Sequence, residues 1–171
     1  MPDDDRTRSL LLGALDRQRR HVLQALDGLS DAQLRAAPLP SGWSLLGLVR
    51  HLTLGLERYW FHTVMAGEPL DYWPADDPAA DGGRPADWRV GADASTAAVM
   101  QEYRDAIAHS DEILAGLQLD AAPRRPEEDW PAGVFADLEA VLVHVILDAA
   151  THAGHLDAAR ELIDGRQHLV L

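Results

Sequence analysis

Apolar residues recur at three- and four-residue intervals through four long stretches of the chain, and no convincing strand pattern interrupts them. The longest stretch, 138–165, carries Leu138, Val141, Val145, Ala149, Leu156, Ala159 and Ile163 on one arc at ~100° per residue. Glu139, Asp157, Arg160 and Glu161 fall on the far side, as in an amphipathic helix packed on a core. In 44–64 the stripe is Leu45, Leu48, Leu52, Leu56 and Tyr59. A first helix over 7–25 places Leu11, Leu15 and Val22 in a series that continues to Leu26 and Leu29, leaving Arg17, Arg20 and His21 for solvent. In 95–117, Val99, Tyr103, Ile107, Ser110, Leu114 and Leu117 face inward, with Glu102, Asp105, His109 and Glu112 outward. Ser30 and Gln33 have capping-box spacing for a short helical turn after Asp27-Gly28.

Four amphipathic helices in one chain predict an all-α fold, an up-and-down four-helix bundle, in a single domain spanning 1–171. Without a crossover, the second and fourth helices of such a bundle run parallel. The connection 67–93 is rich in proline and glycine and too long for a simple connector. Its Tyr72, Trp73 and Trp88 suit a lid over a functional site that contributes to substrate selection, or a cover for an exposed core edge. The connection 118–133 carries Trp130 and the adjacent Arg124 and Arg125, which read as surface charge or as contacts to an anionic group.

Polar residues intrude on this pattern at specific places. His144, Asp148, His152 and His155 lie in or beside the apolar arc of the last helix, where ionisable groups need partners. Asp148 and His152 are one turn apart, so their side chains can converge on one point, as a metal ion or a hydrogen-bonded pair requires. On the second helix, His51 sits at the edge of the stripe, and Gly55 one turn on leaves space beside the imidazole. His62 falls on nearly the same strip but ~16 Å further along the axis, too far to share a site with His51. Bundle sites are built from facing helices, so His51 can meet Asp148 and His152 in the interior.

Composition narrows the chemistry. A chain of 171 residues, 47% hydrophobic, supports one substantial core, and a net charge of −13 opposes binding to nucleic acid. No apolar run approaches the ~20 residues of a membrane span, and MPDDDRTRSLLLGAL is acidic where a secretory signal would be basic. A cytoplasmic protein without membrane or nucleic-acid partners is expected. There is no cysteine and no lysine, which excludes disulfides, zinc-thiolate sites, a protein thiol nucleophile and Schiff-base catalysis. Any metal must be held by His, Asp or Glu.

Three segments, SGWSLLGLVRHL (41–52), ERYWF (57–61) and HAGHLDAARELIDG (152–165), resemble the DinB-like superfamily. The closest resemblance is to its branch of small proteins similar to mycothiol-dependent transferases, and it covers nearly the whole chain. It implies a four-helix bundle that binds a divalent metal through one histidine of the second helix and an i, i+4 pair of the fourth. The matching positions are His51, Asp148 and His152. Asp148 departs from the glutamate usual in this branch and the histidine of others, which leaves His155, or His144, as an alternative third ligand. Three protein ligands plus water is the open arrangement of catalytic zinc, the metal expected here.

The resemblance further implies a metal-bound low-molecular-weight thiol, mycothiol or similar, acting as nucleophile on an electrophilic small molecule or transiently in an isomerisation, in a chain that can form a homodimer. A metal-dependent hydrolase using bound water is the competing enzyme. A non-enzymatic, stress-related binding protein is the third reading.

Overall fold

The computed structural model describes residues 2–74, 85–126 and 130–167. Helix α1 (Pro2–Leu26) is followed by the short α2 (Asp31–Leu34) and by α3 (Leu45–His51). The latter continues without a break into a π-helical segment, Leu52–Met65. A single 3-10 turn at Ala86–Trp88 precedes α4 (Thr96–Ala115) and α5 (Leu138–Asp164). Among the described residues there is no strand, and four long helices pack around one core that includes Leu15, Val22, Leu48, Phe61, Val141, Leu142 and Leu156. No described helix is long and apolar enough to cross a membrane.

The helix ends follow from local chemistry. Ser30 and Gln33 form the expected capping box at α2, while Ser44, Ser95 and Asp137 each accept a backbone N–H at the starts of α3, α4 and α5. Gly165 closes α5 at φ 75°, the left-handed conformation that a side chain disfavours.

Helix directions depart from simple alternation. Arg58 lies 3.7 Å from Glu102, and His62 binds Ala106 further along α4, so the second long helix and α4 run parallel. His51 meets His152 whereas Trp60 meets His144, so the second long helix and α5 run antiparallel. His21 pairs with Asp157 and Arg160 reaches the Ala25 carbonyl, which makes α1 and α5 parallel neighbours. The connection after Met65 is therefore a crossover. It retraces the helix it leaves: Tyr72 meets Thr63, Trp73 meets Tyr59, and Trp88 returns to His51.

The π-helical winding has its own effect on register. Bonds of the i→i+5 kind, such as Ala66 N–H to the Phe61 carbonyl, turn each residue through a smaller angle than the α-helix does. The lag accumulates over three turns. His62, which α periodicity aligns with His51, instead faces α4 through Ala106 and Ser110. The same winding buries Trp60, Phe61, His62, Thr63, Val64 and Met65 in succession, a run that a one-sided α-helical stripe does not allow.

Three further polar residues differ from expectation. Arg160 is buried, and its guanidinium donates to the carbonyls of Ala25 and Asp27 at the end of α1, where a helix runs out of its own N–H donors. His21 is half-buried against Asp157, and His109 pairs with Glu68 at 2.7 Å.

Candidate functional site

The start of the second long helix, the end of the crossover and the second half of α5 converge on one group of side chains. One ligand atom from each of His51, Asp148 and His152 lies within 4.8 Å of the other two. Helical spacing puts Asp148 and His152 one above the other on α5, with His152 Nε2 3.2 Å from Asp148 Oδ1. The imidazole of His152 meets that of His51 edge-on at 4.9 Å between centroids.

Behind His51 stands a residue that the helical pattern does not reveal. Asp87, buried on the 3-10 turn, accepts a hydrogen bond of 2.6 Å from His51 Nδ1–H. Because a carboxylate can only accept, the proton is fixed on Nδ1 and the lone pair of His51 is on Nε2. Trp88, the next residue, stacks on the same imidazole at 4.2 Å and 18°. The ring is thereby held in plane, in rotation and in tautomer.

Two glycines make that clamp possible. A Cβ on Gly55 would sit 3.2 Å from the His51 ring, so the space expected beside the imidazole is real. A Cβ on Gly47 would overlap the Trp88 carbonyl, so this glycine lets α3 and the crossover touch backbone to backbone. Gly47 lies inside the SGWSLLGLVRHL segment, where its spacing to His51 is one turn of helix.

The electrostatics and the unsatisfied valences suit a cation. Hydrogen bonding from His152 holds the Asp148 carboxyl below its ordinary range, against the opposing effect of desolvation. Nδ1 of His152 is buried and has no hydrogen-bond partner. A cation shared by Asp148 and His152 would replace the contact between them, taking a carboxylate oxygen of one and an imidazole nitrogen of the other. Two imidazole nitrogens and one carboxylate oxygen form a donor set that divalent zinc accepts.

The alternative ligands stand apart. His155 is exposed and packs near Trp43, with its ring 5.9 Å from that of His152 and outside the converging group. His144 is enclosed by Trp60, Phe135 and Trp130, and burial pushes it below the ordinary histidine range. Arg124 and Arg125 lie at the opposite end of the second long helix, where Arg125 N–H donates to the Val64 carbonyl, so they do not face this group.

A cleft of about 500 Å³ opens beside His51, lined by Gly55, Tyr59, Leu70, Trp73, Asp87 and Trp88 among others. The described parts of the crossover thus form one wall of this cleft. Tyr72 does not share in this: its hydroxyl lies 3.2 Å from Thr63 Oγ1 and the Arg58 guanidinium covers its ring at 3.9 Å.

A family model described as Mycothiol-S-transferase matches residues 10–165, and the chain belongs to that family. No curated protein and no solved structure matches it.

Proposed function

From that membership we propose that the protein is a metal-dependent mycothiol S-transferase, with His51, Asp148 and His152 holding a divalent cation, zinc, and an electrophilic small molecule entering the adjoining cleft. The observation that carries this reading is the convergence of those three side chains within 4.8 Å. The cation, when bound, supplies the positive charge that favours the thiolate form of the cosubstrate.

The chain's own residues account for the rest. With no cysteine in the sequence, the nucleophilic sulfur has to arrive on a separate molecule. Asp87 keeps the His51 lone pair on Nε2, and Trp88 prevents the ring from turning away. Tyr59, Leu70 and Trp73 give the cleft an apolar and aromatic lining for the carbon skeleton of the electrophile. Transfer forms an S–C bond at the electrophilic carbon as the thiol proton is lost, while a bond from that carbon to a leaving atom or to a π-bonded neighbour breaks and its electron pair passes to that atom, which takes up a proton.

Metal-loaded protein incubated with a panel of electrophiles, with and without mycothiol, tests the proposal. Turnover should require the thiol and disappear in His51→Ala. Asp148→Ala should lose most of the bound metal, and Asp148→Glu should retain it. Turnover independent of thiol would replace the transferase by a hydrolase. Retained metal with no turnover across the panel would favour a binding protein.

A further inference from the structure

We infer that His62, Glu68 and His109 form a second divalent-cation site, separate from the first, which fastens the start of the crossover to α4. These residues come from three elements: the last turn of the π-helical segment, the chain just beyond it, and α4. One ligand atom from each lies within 4.8 Å of the other two. The group faces α4, whereas His51 faces α5, because the π-helical winding carries His62 round the axis.

His62 gives the strongest indication. It is 5% exposed, and its Nε2–H donates to the Ala106 carbonyl at 3.2 Å, with Ser110 Oγ at 3.1 Å. A carbonyl can only accept, so the lone pair is on Nδ1. A backbone carbonyl behind a neutral imidazole is one of the common arrangements that orient a metal-ligating histidine. The His62 and His109 rings meet edge-on at 4.5 Å, and His109 Nε2 is 2.7 Å from Glu68 Oε1. Glu68 is itself positioned by the helix end, since its N–H donates to the His62 carbonyl at 2.9 Å.

A surface ion pair accounts for His109 and Glu68, but not for a buried imidazole set against them. Two nitrogens and one carboxylate oxygen, with Glu112 also 3.5 Å from His109 Nδ1, favour zinc, cobalt or nickel over magnesium or calcium. The opening on the Glu68 and His109 side, both of which are partly exposed, admits water to complete the coordination.

Untagged protein stripped with a chelator and titrated with Co²⁺ under equilibrium dialysis tests the inference. Wild type should bind two equivalents, read both as stoichiometry and as visible absorption. Glu68→Gln and His109→Ala should each remove one equivalent while keeping the helical circular dichroism. His51→Ala should remove the other equivalent, and His51→Ala combined with His109→Ala should remove both. A second equivalent that persists in Glu68→Gln and His109→Ala overturns the assignment, as does a wild type that binds only the equivalent lost in His51→Ala. Because the readout is metal bound per chain, a failed transferase assay leaves it intact.

Discussion

Two pairs of a base with a carboxylate, one at His51 and one at Glu57, lie less than two turns apart on the second long helix, and they are finished in opposite ways. At Glu57, both carboxylate oxygens accept from Arg19, at 2.8 and 2.6 Å, and a third Arg19 nitrogen donates to Asp111 at 2.7 Å. The guanidinium also lies against the Phe61 ring, and its pairing with the two carboxylates raises its pKa despite burial. Every nitrogen of Arg19 and both oxygens of Glu57 have a partner. At His51, only Nδ1 is used by Asp87, while His152 across the interior has a buried nitrogen without a partner. A polar cluster that completes its own bonding serves the fold, and one that stops short leaves valences for chemistry.

The largest test of that contrast is Glu57→Ala. It strands the Arg19 guanidinium inside the bundle, and removing one member of a buried pair costs about 3–5 kcal/mol. Urea unfolding should show this loss, whereas metal bound per folded molecule stays unchanged. Asp87→Asn addresses the other cluster. It keeps an acceptor for His51 Nδ1–H but removes the charge, so metal affinity should fall about 10- to 100-fold with little loss of stability. Competition with a chromogenic chelator measures it, and an unchanged affinity would show that Asp87 does not support a ligand.

Gly47→Ala joins the two effects at intermediate size. The new methyl overlaps the Trp88 carbonyl, so the 3-10 turn must retreat and take Asp87 with it, at a cost of about 1–3 kcal/mol. Weaker metal binding should accompany the lower urea midpoint; a midpoint shift alone would uncouple the turn from the site.

His144→Phe should have the smallest effect, visible only in the pH profile. Burial among aromatic rings keeps His144 below its usual 6.5, partly opposed by Asp148 one turn away. As pH falls below 6.5 the unfolded chain takes the proton first, so this contribution is present above that value and is lost on acidification. The variant should flatten the fall in stability between about pH 6.5 and 5, as measured by urea midpoints across that range.

The bundle and half of the site were legible because both rest on periodicity. Asp148 and His152 fall one above the other in any helix, and His51 stood out as a polar residue beside an apolar stripe. Asp87 was not legible: it reaches His51 through a non-helical connection, and no periodicity relates the two. Arg19 and Glu57 were hidden for a related reason, since each reads singly as a surface charge and only the packing of α1 on the second long helix reveals the pair. The π-helical winding left one trace in the sequence, the dense apolar run from Trp60 to Met65 interrupted only by His62 and Thr63. Gly47 drew no reading from the sequence, because its close approach to Trp88 runs through the same non-helical connection.

The parallel pairing of α1 with α5 bears on how the chain is made. These are the first and last of the long helices described, so α1 of a nascent chain lacks the neighbour that covers it until α5 has been synthesised. Asp148 and His152 emerge in the same late segment, whereas His51 and Asp87 are already available. A truncation ahead of α5 would therefore do more than delete Asp148 and His152 from the group they form with His51. It would expose the flank of α1 around His21 and Ala25 and leave quality-control proteases an unclosed bundle to degrade.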